Sequence, residues 1–330
     1  MAVLVCGGAG YIGSHCVYGL LDRNEEVVVL DNLQTGHKAA VSGAARFYEG
    51  DIRDGGFLDK VFTENSIEAV IHFAANSLVG VSMNEPLEYY DNNVYGTQVL
   101  LQTMTRHKTG RIVFSSTAAA YGEPESIPIL ETDRTLPTNP YGETKLAMEK
   151  MMRWADNAHG LKYIALRYFN VAGAHESGRI GEDHNPETHL IPLILQVPLG
   201  KRESISIFGE DYDTADGTCI RDYIHVTDLV KAHILALESL RNGSGSTVYN
   251  LGNGEGFSVK EMIEAARRVT GHPIPAVICP RRAGDPSTLI ASSQKAREKL
   301  GWEPGFNKVE DIIASAWNWH RNNPEGFKKD

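Results

Sequence analysis

Short runs of β-branched and apolar residues recur through the first half of the chain and alternate with longer amphipathic stretches. The runs are AVLVCG at 2–7, EVVVLD at 26–31, ARFYEGD at 45–51, AVIHFAA at 69–75, GRIVFSS at 110–116 and KYIALRYFN at 162–170. Helical patterning falls at 11–23, 55–65, 87–107 and 141–158. Near-continuous apolar strands separated by helices belong to a parallel sheet covered on both faces, so the pattern predicts a doubly wound α/β fold of Rossmann type.

Past about residue 170 the texture changes. GAHESGRIGEDHNPETH and FGEDYDTADGT read as long polar loops, and loops of that length in a compact protein are usually functional. Helical periodicity returns at 227–241, 258–270 and 309–321, with one more strand in TVYNLGN at 247–253. The expected organisation is a first domain over 1–170 and a smaller α/β domain over 171–330, with segments crossing back to the first. The second would lie over the strand ends, where such sheets bind ligands.

Composition narrows the function classes. The chain has 330 residues, 42% of them hydrophobic and 22% charged, as in a soluble globular protein. A net charge of -10 speaks against nucleic acid as a partner. No stretch reaches the roughly 20 apolar residues of a membrane helix, and the start lacks the basic flank of a leader, so a cytoplasmic protein is expected. Cys6, Cys16, Cys219 and Cys279 show no C-x-x-C spacing, and the twelve histidines show no H-E-x-x-H or similar ligand grouping. Neither a disulfide framework nor a metal site is expected.

The first chemical signal is VLVCGGAGYIG, which sets Gly7, Gly10 and Gly13 directly after the first strand and into a helix. Glycine lets the backbone turn sharply and approach a pyrophosphate, whose charge then meets helix N-terminal amides. The second strand ends in Asp31, at the distance where an acid takes the adenosine ribose hydroxyls. Alone, Asp31 is an ordinary turn residue opening DNLQTG; with the strand and the glycine loop it favours a dinucleotide. An acid there repels the extra phosphate of NADP, which makes NAD the expected cofactor.

The second signal is FSSTAAAYG, which brings Ser115, Ser116 and Thr117 to a strand end, and the third is NPYGETK. Tyr141 stands four residues before Lys145, so a helix would set phenol and ammonium on one face, where the cation pulls the phenol pKa down. Alone, the pair is better read as a solvated lysine beside a half-buried tyrosine. Beside strand-end hydroxyls it fits proton transfer coupled to hydride transfer onto nicotinamide.

GGAGYIGSH, VVVLDNL, HFAA, YYDNNVYGT, SSTAAAYGE, NPYGETK, RYFNVAGA, IFGEDYDTADGTCIRDYIHV and RRAGDP span nearly the whole chain. With them the sequence resembles the extended short-chain dehydrogenase/reductase family, in its UDP-hexose 4-epimerase branch. The resemblance implies redox-neutral interconversion of UDP-galactose and UDP-glucose through a 4-keto sugar on tightly held NAD, with Tyr141 as acid and base. It gives Lys145 the nicotinamide ribose and support of the phenolate, and Thr117 the sugar 4-oxygen. NAD would be lined by Gly7, Gly10, Tyr11, Ile12, Gly13, Asp31, Asn32, Leu33, Gln34, Thr35, Gly36, Asp51, Ile52, Phe73, Ala74, Ala75, Asn76, Ser77, Asn92, Tyr141, Lys145 and Phe169. Ser77 stands where some relatives carry a cofactor-touching lysine.

For the substrate the resemblance implies Arg221 and Arg282 on the diphosphate, a role suited to planar bidentate guanidinium. It adds Asn170, His189, Leu190, Phe208 near the uracil, and Tyr223 and Asp285 at the ribose or sugar. Leu289 stands at the gate of the hexose pocket, where a side chain smaller than tyrosine would admit UDP-N-acetylglucosamine and UDP-N-acetylgalactosamine as well. A homodimer through the helices following Tyr89 and Tyr141 is also implied. A 4,6-dehydratase of the same fold typically follows its threonine with Asp and Glu; here Ala118 and Ala119 occupy those places. A non-catalytic NAD(H) sensor would be expected to lose Tyr141 or Lys145, and both are present.

Overall fold

Ala2, Leu4 and Cys6 face one side of the first strand and Val3 and Val5 the other, and all five are buried. Such a strand needs cover on both faces. The computed structural model, which describes residues 1–282 and 285–327, supplies it with helices. The strands of the first half are β1 (Ala2–Cys6), β2 (Val27–Asp31), β3 (Arg46–Glu49), β4 (Ile67–His72), β5 (Arg111–Ser115) and β6 (Lys162–Arg167). Then come β7 (Asn170–Ala172), β8 (Ile205–Phe208), β9 (Ile220–Arg221), β10 (Tyr223–His225) and β11 (Thr247–Asn250). The last are β12 (Phe257–Ser258), β13 (Ala276–Cys279) and β14 (Thr288–Leu289).

The main sheet has seven strands in the order β11-β6-β5-β4-β1-β2-β3, all parallel. This is the doubly wound Rossmann arrangement expected. One face packs on helices Tyr11–Leu21, Val226–Arg241 and Gln294–Leu300, the other on Gly55–Glu64, Gly96–Arg106 and Pro140–His159. Each fully buried Val or Leu contributes about 1.5–3 kcal/mol. The chain returns from its second half to add Val226–Arg241 and β11 to this sheet. β11 pairs along β6, Val248 opposite Ala165, and covers an edge that would otherwise expose unpaired amides.

The stretch 87–107, expected as one helix, is interrupted. It runs as Pro86–Tyr89, a π-helical turn over Tyr90–Tyr95, and Gly96–Arg106. The wider turn holds Asn93, whose side chain accepts from the Asn76 amide (2.7 Å) and donates to the Asn76 carbonyl (3.0 Å) and to Thr144 (3.1 Å). A π turn inside a helix often marks a functional site, and here it ties three segments together.

The second half builds a third core from helices Leu190–Leu195, Val259–Thr270 and Val309–Asn322 with β8 and β13. Ser258 and Glu261 form a capping box on Val259–Thr270, and Gly271 closes it in the left-handed conformation. Strand order reverses between β1 and β4, and the glycine loop, residues 73–77 and residues 115–117 follow the carboxyl ends of β1, β4 and β5. That is the crevice in which open α/β sheets bind ligands.

Candidate active site

Gly7 holds a positive φ of 80°, and a Cβ there would lie 2.6 Å from the Ala74 amide nitrogen. Only glycine lets the β1 turn approach the end of β4 so closely. Phe73 and Ala74 both donate to the Cys6 carbonyl, at 2.8 and 3.0 Å, which fixes that approach. The turn opens the helix Tyr11–Leu21, whose first amides have no partner within the helix. Tyr11 donates to the Gly173 carbonyl at 2.6 Å and so ties this loop to the second half.

Asp31 is buried, with one oxygen accepting from Ala9 N (2.9 Å) and the other from Leu33 N (2.8 Å). Burial pushes its carboxyl pKa up, against those two amides. Each oxygen keeps a free lone pair, so ribose hydroxyls can still be bound. Asn32 donates to Asp51 (3.1 Å), and Arg53 holds the Asp51 carboxyl down at about 2. Asn32, Gln34 and Thr35 are exposed around this mouth, Gly36 is half-buried and Ile52 buried. Phe73, Ala74, Ala75 and Asn76 are half-buried, Ser77 is exposed, and the Asn92 amide donates to Asn93 at 3.0 Å.

The Tyr141 segment is shaped by its own sequence. Asn139 caps the helix Pro140–His159 by accepting from Gly142 N (2.9 Å), and Pro140 takes the first helical position. A Cβ on Gly142 would lie 2.7 Å from the Ala119 carbonyl, so glycine lets this helix press onto the loop after β5. The loop's three hydroxyls then separate by use. Ser115 bonds Tyr168 and Ser116 bonds the Glu149 carboxylate. Thr117 accepts from Ala119 N at 3.1 Å, which leaves its own proton to give to the Tyr141 phenol.

Burial pushes the Tyr141 phenol up to about 12, although Thr117 lowers it by hydrogen bonding; Tyr89 raises it further. This corrects the expectation of a depressed phenol. Lys145 does share its helix face, but its ammonium lies 5.9 Å from the tyrosine ring centroid and donates to the Ser115 carbonyl at 2.8 Å. Burial in turn holds Lys145 down at about 7, opposed by Glu149. Glu149 is buried and paired with Arg167, whose Nε donates at 2.9 Å. Neither Asn93 nor the Glu149–Arg167 pair was picked out in the sequence; Glu149 stands four residues beyond Lys145, and that spacing was its only signal.

Several residues assigned to the substrate meet. Arg282 lies 4.1 Å over the Phe208 ring, Asp285 N donates to the Arg282 carbonyl (3.4 Å), and Arg221 pairs with Asp285. Arg221, assigned to a diphosphate, is thus engaged by the carboxylate assigned to ribose or sugar. Leu289 lies opposite Arg221 in β14 and β9, and with Phe169 packs against Ala118, Tyr121 and Ile129, beside Thr117. Asn170 lies opposite Tyr223 in β7 and β10, and Tyr223 is buried in the third core. Ala283 and Gly284 of the RRAGDP block lie outside the described residues.

His189 and Leu190 lie at the start of the helix Leu190–Leu195. Leu190 packs on the third core, and His189 Nδ1 lies 2.9 Å from Glu187 and 3.1 Å from Glu182. His184 joins them, which makes a His/Glu grouping where no ligand grouping was expected. No helix among the described residues is long and apolar enough to cross a membrane.

A Rossmann sheet with a glycine turn at its switch point, a buried Asp31 and a Thr117–Tyr141–Lys145 group defines an enzyme that works with a nicotinamide dinucleotide. Residues 3–252 match the model of the NAD dependent epimerase/dehydratase family, and the chain belongs to that family. The UDP-glucose 4-epimerase of Halalkalibacterium halodurans is 63% identical over 327 residues, covering 99% of this chain and 98% of that protein. A crystal structure of a UDP-glucose 4-epimerase has a TM-score of 0.99 at 61% identity, with 100% of both chains covered. The enzyme of that name from Bifidobacterium longum, solved with NAD+ and UDP, has a TM-score of 0.93 at 42% identity, covering 99% of this chain and 100% of that one. At this similarity from end to end, the chain is an NAD-dependent isomerase.

Proposed function

We propose that the chain interconverts UDP-galactose and UDP-glucose by inverting C4 of the sugar. The observation that carries this reading is the seating of Gly142 against Ala119, which sets Tyr141 beside Thr117, the one strand-end hydroxyl that hydrogen-bonds to the phenol. NAD, held by the glycine turn and Asp31, supplies a hydride acceptor and donor when bound. Thr117 holds the 4-oxygen. Tyr141 takes the 4-hydroxyl proton as the alcohol becomes a 4-keto sugar and gives it back once the sugar has presented its other face. The high phenol pKa makes a bound cation essential for the basic form. Two are at hand in this reading, the Lys145 ammonium and the oxidised nicotinamide ring. Arg221 turns from Asp285 to the diphosphate, Arg282 joins it, and Phe208 stacks on the uracil.

Ala118 and Ala119 speak against the dehydratase reading, because elimination of water needs an acid–base pair next to the threonine. UDP-galactose incubated with the protein, without added NAD, and followed by NMR tests the proposal. UDP-glucose is the expected product; a 4-keto-6-deoxy sugar, or no product with NAD supplied, contradicts it. Leu289 is smaller than a tyrosine at the same gate, which extends the proposed substrates to UDP-N-acetylglucosamine and UDP-N-acetylgalactosamine.

The reading includes a homodimer. Tyr90, Tyr95 and Trp154 are 44%, 47% and 64% exposed on the π turn and the helix Pro140–His159, an apolar face suited to a second copy. Light scattering should give twice the 36.2 kDa chain mass and, for Trp154→Glu, a monomer.

A further inference from the structure

The loop before the helix Leu190–Leu195 reads Glu182-Asp-His184-Asn-Pro-Glu187-Thr-His189. Its two histidines and two glutamates each bring one ligand atom within 4.8 Å of the other three. His189 Nδ1 lies 2.9 Å from Glu187 Oε1 and 3.1 Å from Glu182 Oε1. His184 Nδ1 lies 3.3 Å from Glu182 Oε1 and 3.6 Å from Glu187 Oε2. Nitrogen and oxygen donors placed tetrahedrally around zinc at about 2.0–2.1 Å are separated by about 3.3–3.4 Å. The spacings, two of them to different oxygens of Glu187, lie on either side of that edge, so one ion would draw the four groups into place by small side-chain shifts.

Charge and burial point the same way. The Glu182 and Glu187 side chains are 4% and 9% exposed, so two carboxylates sit out of water side by side. Buried carboxylates that close must be neutralised by protons or by a metal. The two histidines, which despite burial the carboxylates hold towards the charged form, balance them as imidazolium, and one dication with two neutral imidazoles balances them equally. The Nδ1 of His184 is closed off from solvent and makes no hydrogen bond, since its approach to Glu182 has the wrong direction for one. Against its burial, those carboxylates raise His184 to about 10, so without a metal this nitrogen carries a proton that no acceptor takes up in good geometry. With the proton gone, the same nitrogen points a lone pair at both glutamates, as a metal ligand must.

We infer that Glu182, His184, Glu187 and His189 form a closed, four-ligand site for a divalent transition metal of zinc type. Two imidazoles select zinc-like ions over magnesium or calcium, whose sites are built of oxygen. With four protein ligands no position stays open for chemistry, so the metal is structural. It pins the loop that leads into Leu190, and His184 stands edge-on to Tyr11 of the glycine turn at 6.1 Å, so the clamp braces both halves.

The test is a metal titration of the full-length protein after chelator treatment. Zinc should bind at one equivalent per chain and raise the melting temperature, and Co²⁺ in its place should show the visible bands of four-coordinate cobalt. His184→Ala and Glu182→Gln should each lose the equivalent and the bands while keeping the wild-type circular dichroism. Substoichiometric zinc with no cobalt bands in the wild type overturns the inference and leaves a His/Glu ion-pair cluster. So does an undiminished equivalent in folded His184→Ala, which would place the metal elsewhere. If a variant does not fold, the wild-type titration and its cobalt spectrum decide.

Discussion

Gly142 is pressed against the carbonyl of Ala119, with room for a hydrogen atom and not for a methyl group. That contact sets how far the Tyr141 helix stands from the loop carrying Thr117. Gly142→Ala should push them apart by a few tenths of an ångström, and placement errors at a reacting centre are costly in rate. Steady-state kinetics should show kcat down by roughly tenfold or more, with KM for the UDP-sugar changed far less. An unchanged kcat would mean that this contact does not position the tyrosine.

Lys145 gives a prediction in which stability and activity part. In the folded chain its pKa, about 7, lies below the ordinary 10.5 because the ammonium is buried. The cost of burying the charge is therefore fully present below pH 7, and stability from this group rises as pH climbs from about 7 towards 10.5. In protein freed of NAD, Lys145→Met should be more stable than wild type by roughly 1–3 kcal/mol at pH 6.5, allowing for the lost bond to Ser115, and the gain should shrink by pH 9. Turnover should fall at every pH. Denaturant melts at the two pH values check the sign; a variant less stable at pH 6.5 than at pH 9, relative to wild type, would contradict it.

Leu289 packs beside Ala118 and Phe169, and in the proposed reading its bulk bears on the hexose. Leu289→Tyr should abolish turnover of UDP-N-acetylglucosamine while UDP-glucose turnover falls less than tenfold, as expected of a clash confined to the C2 substituent. Parallel assays of both sugars decide the matter. Equal loss on both would remove Leu289 from specificity.

All seven strands of the main sheet and most of the helices were legible, the central strands because they carry their burial on both faces, as VLVC and VVVL show. The pairing of β11 with β6 was not, since a four-residue strand does not name its partner. Interruption of the helix at Tyr90–Tyr95 was hidden too, because the apolar spacing continues across the π turn while the reason for it, Asn93 reaching Asn76 and Thr144, is long-range. At the site, the glycine turn, Asp31 and the Tyr141–Lys145 spacing were readable from local sequence. The division of labour among Ser115, Ser116 and Thr117 was not, because it is set by Tyr168 and Glu149. Nor was the phenol's shift, because charge proximity was readable from spacing whereas burial was not.

Tyr141→Phe tests the account most directly. The ring and its packing stay and only the proton-transferring oxygen goes, so NAD and UDP should bind as in the wild type by calorimetry. Turnover of UDP-galactose should fall by about 100 to 10,000-fold, the worth of general acid–base catalysis. Near wild-type turnover in a variant that still holds NAD would contradict Tyr141 as the group that takes and returns the proton.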